Sequence, residues 1–359
     1  AGSGKTRLLT YRIAYLIQQG VDPFNILALT FTNKAAREMK ERIGRIVGSS
    51  EARNLWMGTF HSVFARILRE EASKLGFPRD FTIYDQQDSQ RLISAIIKEM
   101  GLDKEVYKYK QIASRISSYK NNLITVKAYY ENPELQEADA MAKRPRLGDI
   151  YANYVDRCFK AGAMDFDDLL LRTNELLNVF PEVLAKYQHR FRYILVDEYQ
   201  DTNHSQYLIV RALADRFQNI CVVGDDAQSI YAFRGANIDN IFNFQKDYPN
   251  VGVYRLEQNY RSTKNIVEAA NNVIEHNKAR LEKVVWTDNE SGNRIKVHRS
   301  PTDADEGRFV AGTIFARATP LWEFCSTLSH QFAISCYRRC STQARYSLSH
   351  LWRTILLSA

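Results

Sequence analysis

This sequence predicts a doubly wound α/β fold interrupted by an all-helical insertion, and three observations carry the prediction. Short apolar runs of strand length alternate with amphipathic helical stretches over residues 1–84 and again from residue 191 onward. A glycine-rich turn, Ala1-Gly2-Ser3-Gly4-Lys5-Thr6, stands directly before the first helical stretch. Between the two alternating regions, about a hundred residues carry almost only helical periodicity.

Taken in order, Gly4-Lys5-Thr6 is the back half of G-x-x-x-x-G-K-[ST], a loop that wraps nucleotide phosphates. Glycines let backbone N–H groups turn inward around phosphate oxygens, where a Cβ would obstruct them. Lys5 is placed to reach the β- and γ-phosphates, Thr6 to ligate Mg²⁺, and the helix opening at Thr6 aims its positive end at the same anion. The first glycine of that motif and a preceding strand would lie ahead of Ala1, so the chain reads as starting inside its phosphate loop.

The helix predicted from Thr6 to about Gln19 has an apolar face of Leu8, Leu9, Ile13, Leu16 and Ile17. Asn25–Thr30 reads as a strand buried on both faces, and Thr32-Asn33 caps a charged helix running to Val47. Leu55–Gly58 is a second strand, followed by a helix to about Lys74, and Phe81–Tyr84 a third strand. Residues 85–190 form the helical insertion, whose Lys143-Arg-Pro-Arg146 cluster reads as a solvated loop. Strands resume at Tyr193–Val196 and Ile220–Gly224, with a helix from Asn203 between them. Val251–Leu256 is expected to be a strand opening another domain, and Thr263 to about Asn277 a helix.

The last 45 residues, Phe315–Ala359, contain one acidic residue, no lysine, five arginines, seven serines and three of the five cysteines. That composition is expected of a frameshifted or otherwise non-native end; an unusual native tail is the second reading.

At 359 residues the chain suits two or three domains, and 45% hydrophobic with 25% charged residues is globular composition. A net charge of +8 favours a polyanionic partner, most simply nucleic acid. No apolar run of membrane-spanning length occurs, and the cysteines up to residue 324 (Cys158 and Cys221) show no paired metal-ligand spacing, so a reduced, cytoplasmic setting is expected.

The chemistry concentrates at Asp197-Glu198, which ends an apolar strand downstream of the phosphate loop. Asp197 is suited to hold Mg²⁺ through water, and Glu198 to accept a proton from an attacking water. Gln228 and Arg261 are candidates for orienting the nucleophile and neutralising γ-phosphate charge.

Seven segments occur in order: Ala1–Thr6, Leu29–Ala36, Gly58–Ser62, Met164–Leu169, Val196–Asn203, Gly224–Tyr231 and Leu256–Thr263. Together they resemble the motifs of UvrD/Rep/PcrA-type superfamily 1 DNA helicases over about Ala1 to Ala311. The resemblance implies two RecA-like P-loop NTPase lobes with ATP between them and single-stranded DNA across their tops. It divides the chain into a first lobe (1–84 and 191–250), the helical insertion (85–190) and the start of a second lobe (251–314). It implies ATP-driven 3′→5′ movement and unwinding at single/double-strand junctions, in DNA repair or replication and at the nucleoid, beside proteins of those processes.

By position, the resemblance assigns Gly2, Ser3, Gly4, Lys5, Thr6, Arg7 and Tyr260 to ATP, with Tyr260 stacked on adenine. Thr6 and Asp197 fall to Mg²⁺, and Glu198, Gln228 and Arg261 to catalysis. Phe31, Thr59, His61, Tyr231, Phe233 and Arg234 fall to DNA, in keeping with aromatic stacking and backbone-following cations. Phe233 stands where relatives often carry Trp, and Ala227 precedes Gln228 where the commoner pattern has Asp. The family's later motifs have no counterpart, so the expectation is a fragment with an incomplete active site. Two other readings stay open: the helicase module of a RecB/AddA-type helicase-nuclease, and a non-catalytic remnant that binds single-stranded DNA.

Overall fold

The computed structural model describes residues 2–232, 235–278 and 281–316. Phe233 and Arg234 lie outside them, as does the tail beyond Ala316. Ala1–Gly292 form one compact unit, and the residues from Asn293 another.

The first unit is built on four parallel strands: β1 (Ile26–Thr30), β2 (Trp56–Thr59), β5 (Tyr193–Val196) and β6 (Ile220–Val222), in the order β2-β1-β5-β6. Every residue of β1 is buried, as its continuous apolar run demands. Alternate side chains serve opposite layers. Ile26 and Ala28 pack with Leu9, Ile13, Met39 and Ile43 of the helices Lys5–Gln18 and Asn33–Val47. Leu27 and Leu29 pack with Trp56, Phe64, Leu170 and Ile209 on the other side, under the helices Phe60–Glu71, Phe166–Val179 and His204–Ala214. Two helical layers thus cover one sheet, which is dry on both faces at β1 and half-buried at the edge strand β6.

The remaining strands, β3 (Thr82–Tyr84) and β4 (Ala163–Asp165), pair in parallel with each other, outside the main sheet. This corrects the placement of Phe81–Tyr84 as a further strand of the α/β alternation. The pair stands where the chain leaves for the helical region and returns from it. Ile83 and Met164 face the sheet's core, whereas Tyr84 packs into a second core of Ile93, Ile96, Ile112, Ile116, Tyr151 and Tyr154. The helices Phe166–Val179 and Pro181–Arg190, although inside the helical stretch of sequence, place Leu169, Leu176, Val183 and Tyr187 in the sheet's core.

Val251–Leu256 forms no strand. Beyond it, Gln258 makes a single parallel bridge to Trp286, flanking the helix Lys264–Glu275. In the second unit the helix Asp303–Ala316 carries Asp303, Asp305 and Glu306 in its first turn, where they complement the helix dipole. None of the described helices is long and apolar enough to cross a membrane.

Candidate nucleotide and DNA site

The phosphate loop turns on two left-handed glycines. Gly2 has φ +80° and Gly4 has φ +84°, conformations that disfavour any side chain. A Cβ on Gly2 would also lie 2.7 Å from Arg261 Cβ, so the loop and the Asn259–Arg261 turn touch without room for a methyl group. The Tyr260 N–H donates to the Gly2 carbonyl at 3.0 Å. Asn259 Oδ1 shapes that turn by accepting from the N–H groups of Arg261 and Ser262, both at 2.8 Å. Gly4 caps the Lys5–Gln18 helix without any side-chain hydrogen bond, so its positive end faces the loop.

Asp197 follows the last residue of β5, at the carboxyl end of the sheet, where ligands of open α/β sheets collect. The Thr6 hydroxyl donates to Asp197 Oδ2 at 3.0 Å, and the Glu198 N–H to Asp197 Oδ1 at 3.0 Å. Asp197 is 2% exposed, and none of the described residues forms an ion pair with it. Burial, then the neighbouring Glu198 charge, raises its pKa above the ordinary carboxylate value. A buried carboxylate beside a hydroxyl, with no cation paired to it among the described residues, suits a hard divalent ion that keeps several waters. Thr6 and Asp197 would hold Mg²⁺ there, and the ion would supply charge neutralisation for phosphate oxygens.

Glu198 has φ 48° and ψ 46°, a left-handed backbone unusual for a side-chain-bearing residue. Its carboxylate accepts from Gln200 Nε2 at 2.9 Å. Gln200 is 1% exposed, and its Oε1 accepts the Asp225 N–H at 2.9 Å, which ties the Asp-Glu strand end to the loop after β6. Asp225 in turn receives Lys5 Nζ at 3.4 Å, Gln228 Nε2 and Lys283 Nζ. Burial alone would raise its pKa; the Lys283 hydrogen bond and the Lys5 and Lys283 charges hold it well below the carboxylate range.

A second set of side chains gathers at the carboxyl ends of β1 and β2. Thr30 and Thr59 are register partners, so Phe31, Thr59 and His61 emerge side by side. Phe31 is half-buried against Phe60, with ring centroids 5.3 Å apart. Thr59 caps the Phe60–Glu71 helix by accepting from the Ser62 N–H at 3.3 Å. His61 meets the half-exposed ring of Phe166 edge-on at 5.9 Å. Tyr231 is 39% exposed in the loop beyond β6.

Residues 1–249 match the UvrD/REP helicase N-terminal domain, and residues 254–327 the UvrD-like helicase C-terminal domain. The chain belongs to the UvrD/REP helicase family. It is 50% identical over 315 residues to the ATP-dependent DNA helicase PcrA of Bacillus subtilis, covering 88% of this chain and 42% of that protein. The corresponding protein of Leuconostoc citreum is 46% identical over 315 residues, covering 88% and 41%. That of Staphylococcus aureus strain Mu50 is 47% identical over 311 residues, covering 86% and 42%. The chain therefore spans about two fifths of the length of the curated relatives it matches.

Against this family membership, the structure brings Lys5, Thr6, Asp197, Glu198 and Gln228 to one place, with Tyr260 and Arg261 closed over Gly2. Ser3 is half-buried within the loop, whereas Arg7 is exposed and lies over the Tyr11 ring at 5.5 Å, along the helix. Sequence reasoning missed Gln200, Asp225, Asn259, Lys283 and Phe166. Four of them stood inside quoted motifs, but each also meets a partner remote in sequence, Gln200 at Asp225, Asn259 at Thr287, Asp225 at Lys5 and Phe166 at His61. Lys283 had no sequence signal.

Proposed function

We propose that this chain is the ATP-hydrolysing, DNA-gripping part of a helicase that moves 3′→5′ along single-stranded DNA and opens duplex at single/double-strand junctions. Its setting in this reading is DNA repair or replication, in the cytoplasm at the nucleoid, with proteins of those processes as partners. The observation that carries the reading is the 3.0 Å hydrogen bond from Thr6 to Asp197, which joins the phosphate loop to the Asp-Glu strand end.

Lys5, freed from Asp225, binds the β- and γ-phosphates, and the N–H groups around Gly2, Ser3 and Gly4 take up their oxygens. Tyr260, 67% exposed on the turn above Gly2, offers a stacking face to the base. Glu198, oriented by Gln200, accepts the proton of the attacking water. Gln228 and Arg261 answer the γ-phosphate charge. Phe31, His61, Tyr231 and Phe166 offer faces to unstacked bases, and Thr59 together with Phe233 and Arg234 completes the DNA path. The lobe boundaries expected above belong to the same reading, except that the helices Phe166–Val179 and Pro181–Arg190 pack into the sheet's core and so go with the first lobe.

The test is ATP hydrolysis with and without single-stranded DNA, comparing the chain with Glu198→Gln. We expect DNA-stimulated turnover that falls by roughly two to four orders of magnitude in the variant, the usual size of a general-base contribution. A soluble, folded chain with no turnover under either condition would count against the proposed activity.

A further inference from the structure

We propose that Lys283 is a positioning residue that sets how readily Lys5 leaves Asp225 for a nucleotide phosphate. The inference rests on the nucleotide reading above and adds a residue to it. Lys283 Nζ bridges Asp225 Oδ1 and Asp226 Oδ1, the latter at 2.7 Å, and the Leu281 N–H donates to Asp226 Oδ2 at 2.9 Å. Residues 281–283 thus clasp the loop after β6 at two points. All three charged side chains are largely shielded, with 22% exposure for Lys283, 12% for Asp225 and 3% for Asp226, so the pairing is only weakly screened.

The clasp belongs to a closed ring of contacts. From Lys283 the chain runs to Trp286, which exchanges backbone hydrogen bonds with Glu257 and Asn259, and to Thr287, whose hydroxyl donates to the Asn259 carbonyl at 2.7 Å. Asn259 shapes the turn that bears Tyr260 and Arg261, and that turn sits on Gly2 of the phosphate loop. Lys5 closes the ring on Asp225.

Asp225 therefore shares its charge among several groups, of which Lys5 and Lys283 are the two lysines. An arriving phosphate must draw Lys5 away. With Lys283 in place, Asp225 keeps a lysine and the transfer is nearly balanced. Without Lys283, the same transfer strips both lysines from a largely buried carboxylate, and Lys5 stays with Asp225. Nucleotide binding is then weakened through Asp225, the group that Lys283 contacts.

The experiment is a double-mutant cycle read as the Kd for fluorescent N-methylanthraniloyl-ATP with Mg²⁺. It uses the parent chain, Lys283→Ala, Lys283→Arg, Asp225→Asn and the Lys283→Ala/Asp225→Asn double variant. We expect Lys283→Ala to raise Kd about tenfold and Lys283→Arg to stay within about twofold of the parent. In the Asp225→Asn background, Lys283→Ala should matter by less than about threefold, because no carboxylate remains at that position to hold Lys5. Lys283→Met keeps the buried stem and loses only the charge, so it gives the same comparison if the alanine variant melts early. Parental affinity in both Lys283→Ala and Lys283→Met overturns the proposal. So does an equal loss with Asp225 intact and in the Asp225→Asn background, which would mark a merely structural lysine. The cycle needs no turnover: absent hydrolysis with this coupling intact counts against the activity alone, and active enzyme without coupling counts against Lys283 alone.

Discussion

Glu198 holds a left-handed backbone at the mouth of the sheet, a conformation costing of order 1–3 kcal/mol that persists only where neighbours impose it. Here Asp197 and Gln200 impose it, one accepting the Glu198 N–H and the other donating to its carboxylate. At the same scale, burial lowers the pKa of His61, so the folded chain keeps its ring neutral. The unfolded ring takes a proton near pH 6.5, and the folded ring only at lower pH. Stability attached to this histidine is therefore complete above about pH 6.5 and is lost as pH falls below it. We expect the urea midpoint to drop between about pH 7.5 and 5.5, and the drop to be smaller in His61→Gln. An equal drop in the variant would assign the effect to other groups. Lys5, Thr6, Asp197 and Glu198 were legible from sequence because their spacing around a turn and a strand end is local. Asp225 and Lys283 were not: 58 residues separate them, and only folding shows that they share a charge.

Among the elements, the helix Tyr109–Asn121 is fastened to β4 and its following helix by one side chain. Lys120 is 0% exposed and pairs with Asp165 at 2.7 Å and Asp168 at 2.9 Å, while the Tyr154 hydroxyl donates to Asp165 at 2.7 Å. Removing the lysine leaves two buried carboxylates facing each other. Lys120→Met should lower unfolding free energy by about 3–5 kcal/mol, measured by urea titration, because the partner charges stay uncompensated. A loss below about 1 kcal/mol would mean that the carboxylates take up protons or water at little cost. Helices were the most legible elements, their periodicity and caps such as Thr32, Asp85 and Asp165 being written within one segment. Strands were less so. Val251–Leu256 has strand composition but no strand pairing, and Thr82–Tyr84 pairs with a segment 81 residues away. A strand is completed by its neighbour, which composition does not name.

For the whole molecule, a net charge of +8 and half-exposed aromatic rings at the strand ends suit a partner held by phosphate attraction and base stacking. Binding of an oligo-dT strand should weaken steeply with salt, the slope of log K against log [salt] reporting about 0.7 per phosphate contact. Phe166→Ala should weaken that binding by about 1–3 kcal/mol at every salt concentration while leaving the salt slope unchanged, because it removes stacking and no charge. Parental affinity at every salt concentration would exclude a stacking role for Phe166. By itself the sequence determined the first helix and strands, the two-faced burial of β1, the phosphate loop and the Asp-Glu strand end, because each is encoded in a few consecutive residues and a fixed period. Tertiary structure alone decided which strands pair, which helices of the 85–190 stretch join the sheet's core, and which buried charges meet at Asp225 and Asp165. Those outcomes depend on distances between residues far apart in the chain, where loop closure and desolvation rather than local preference set the energy.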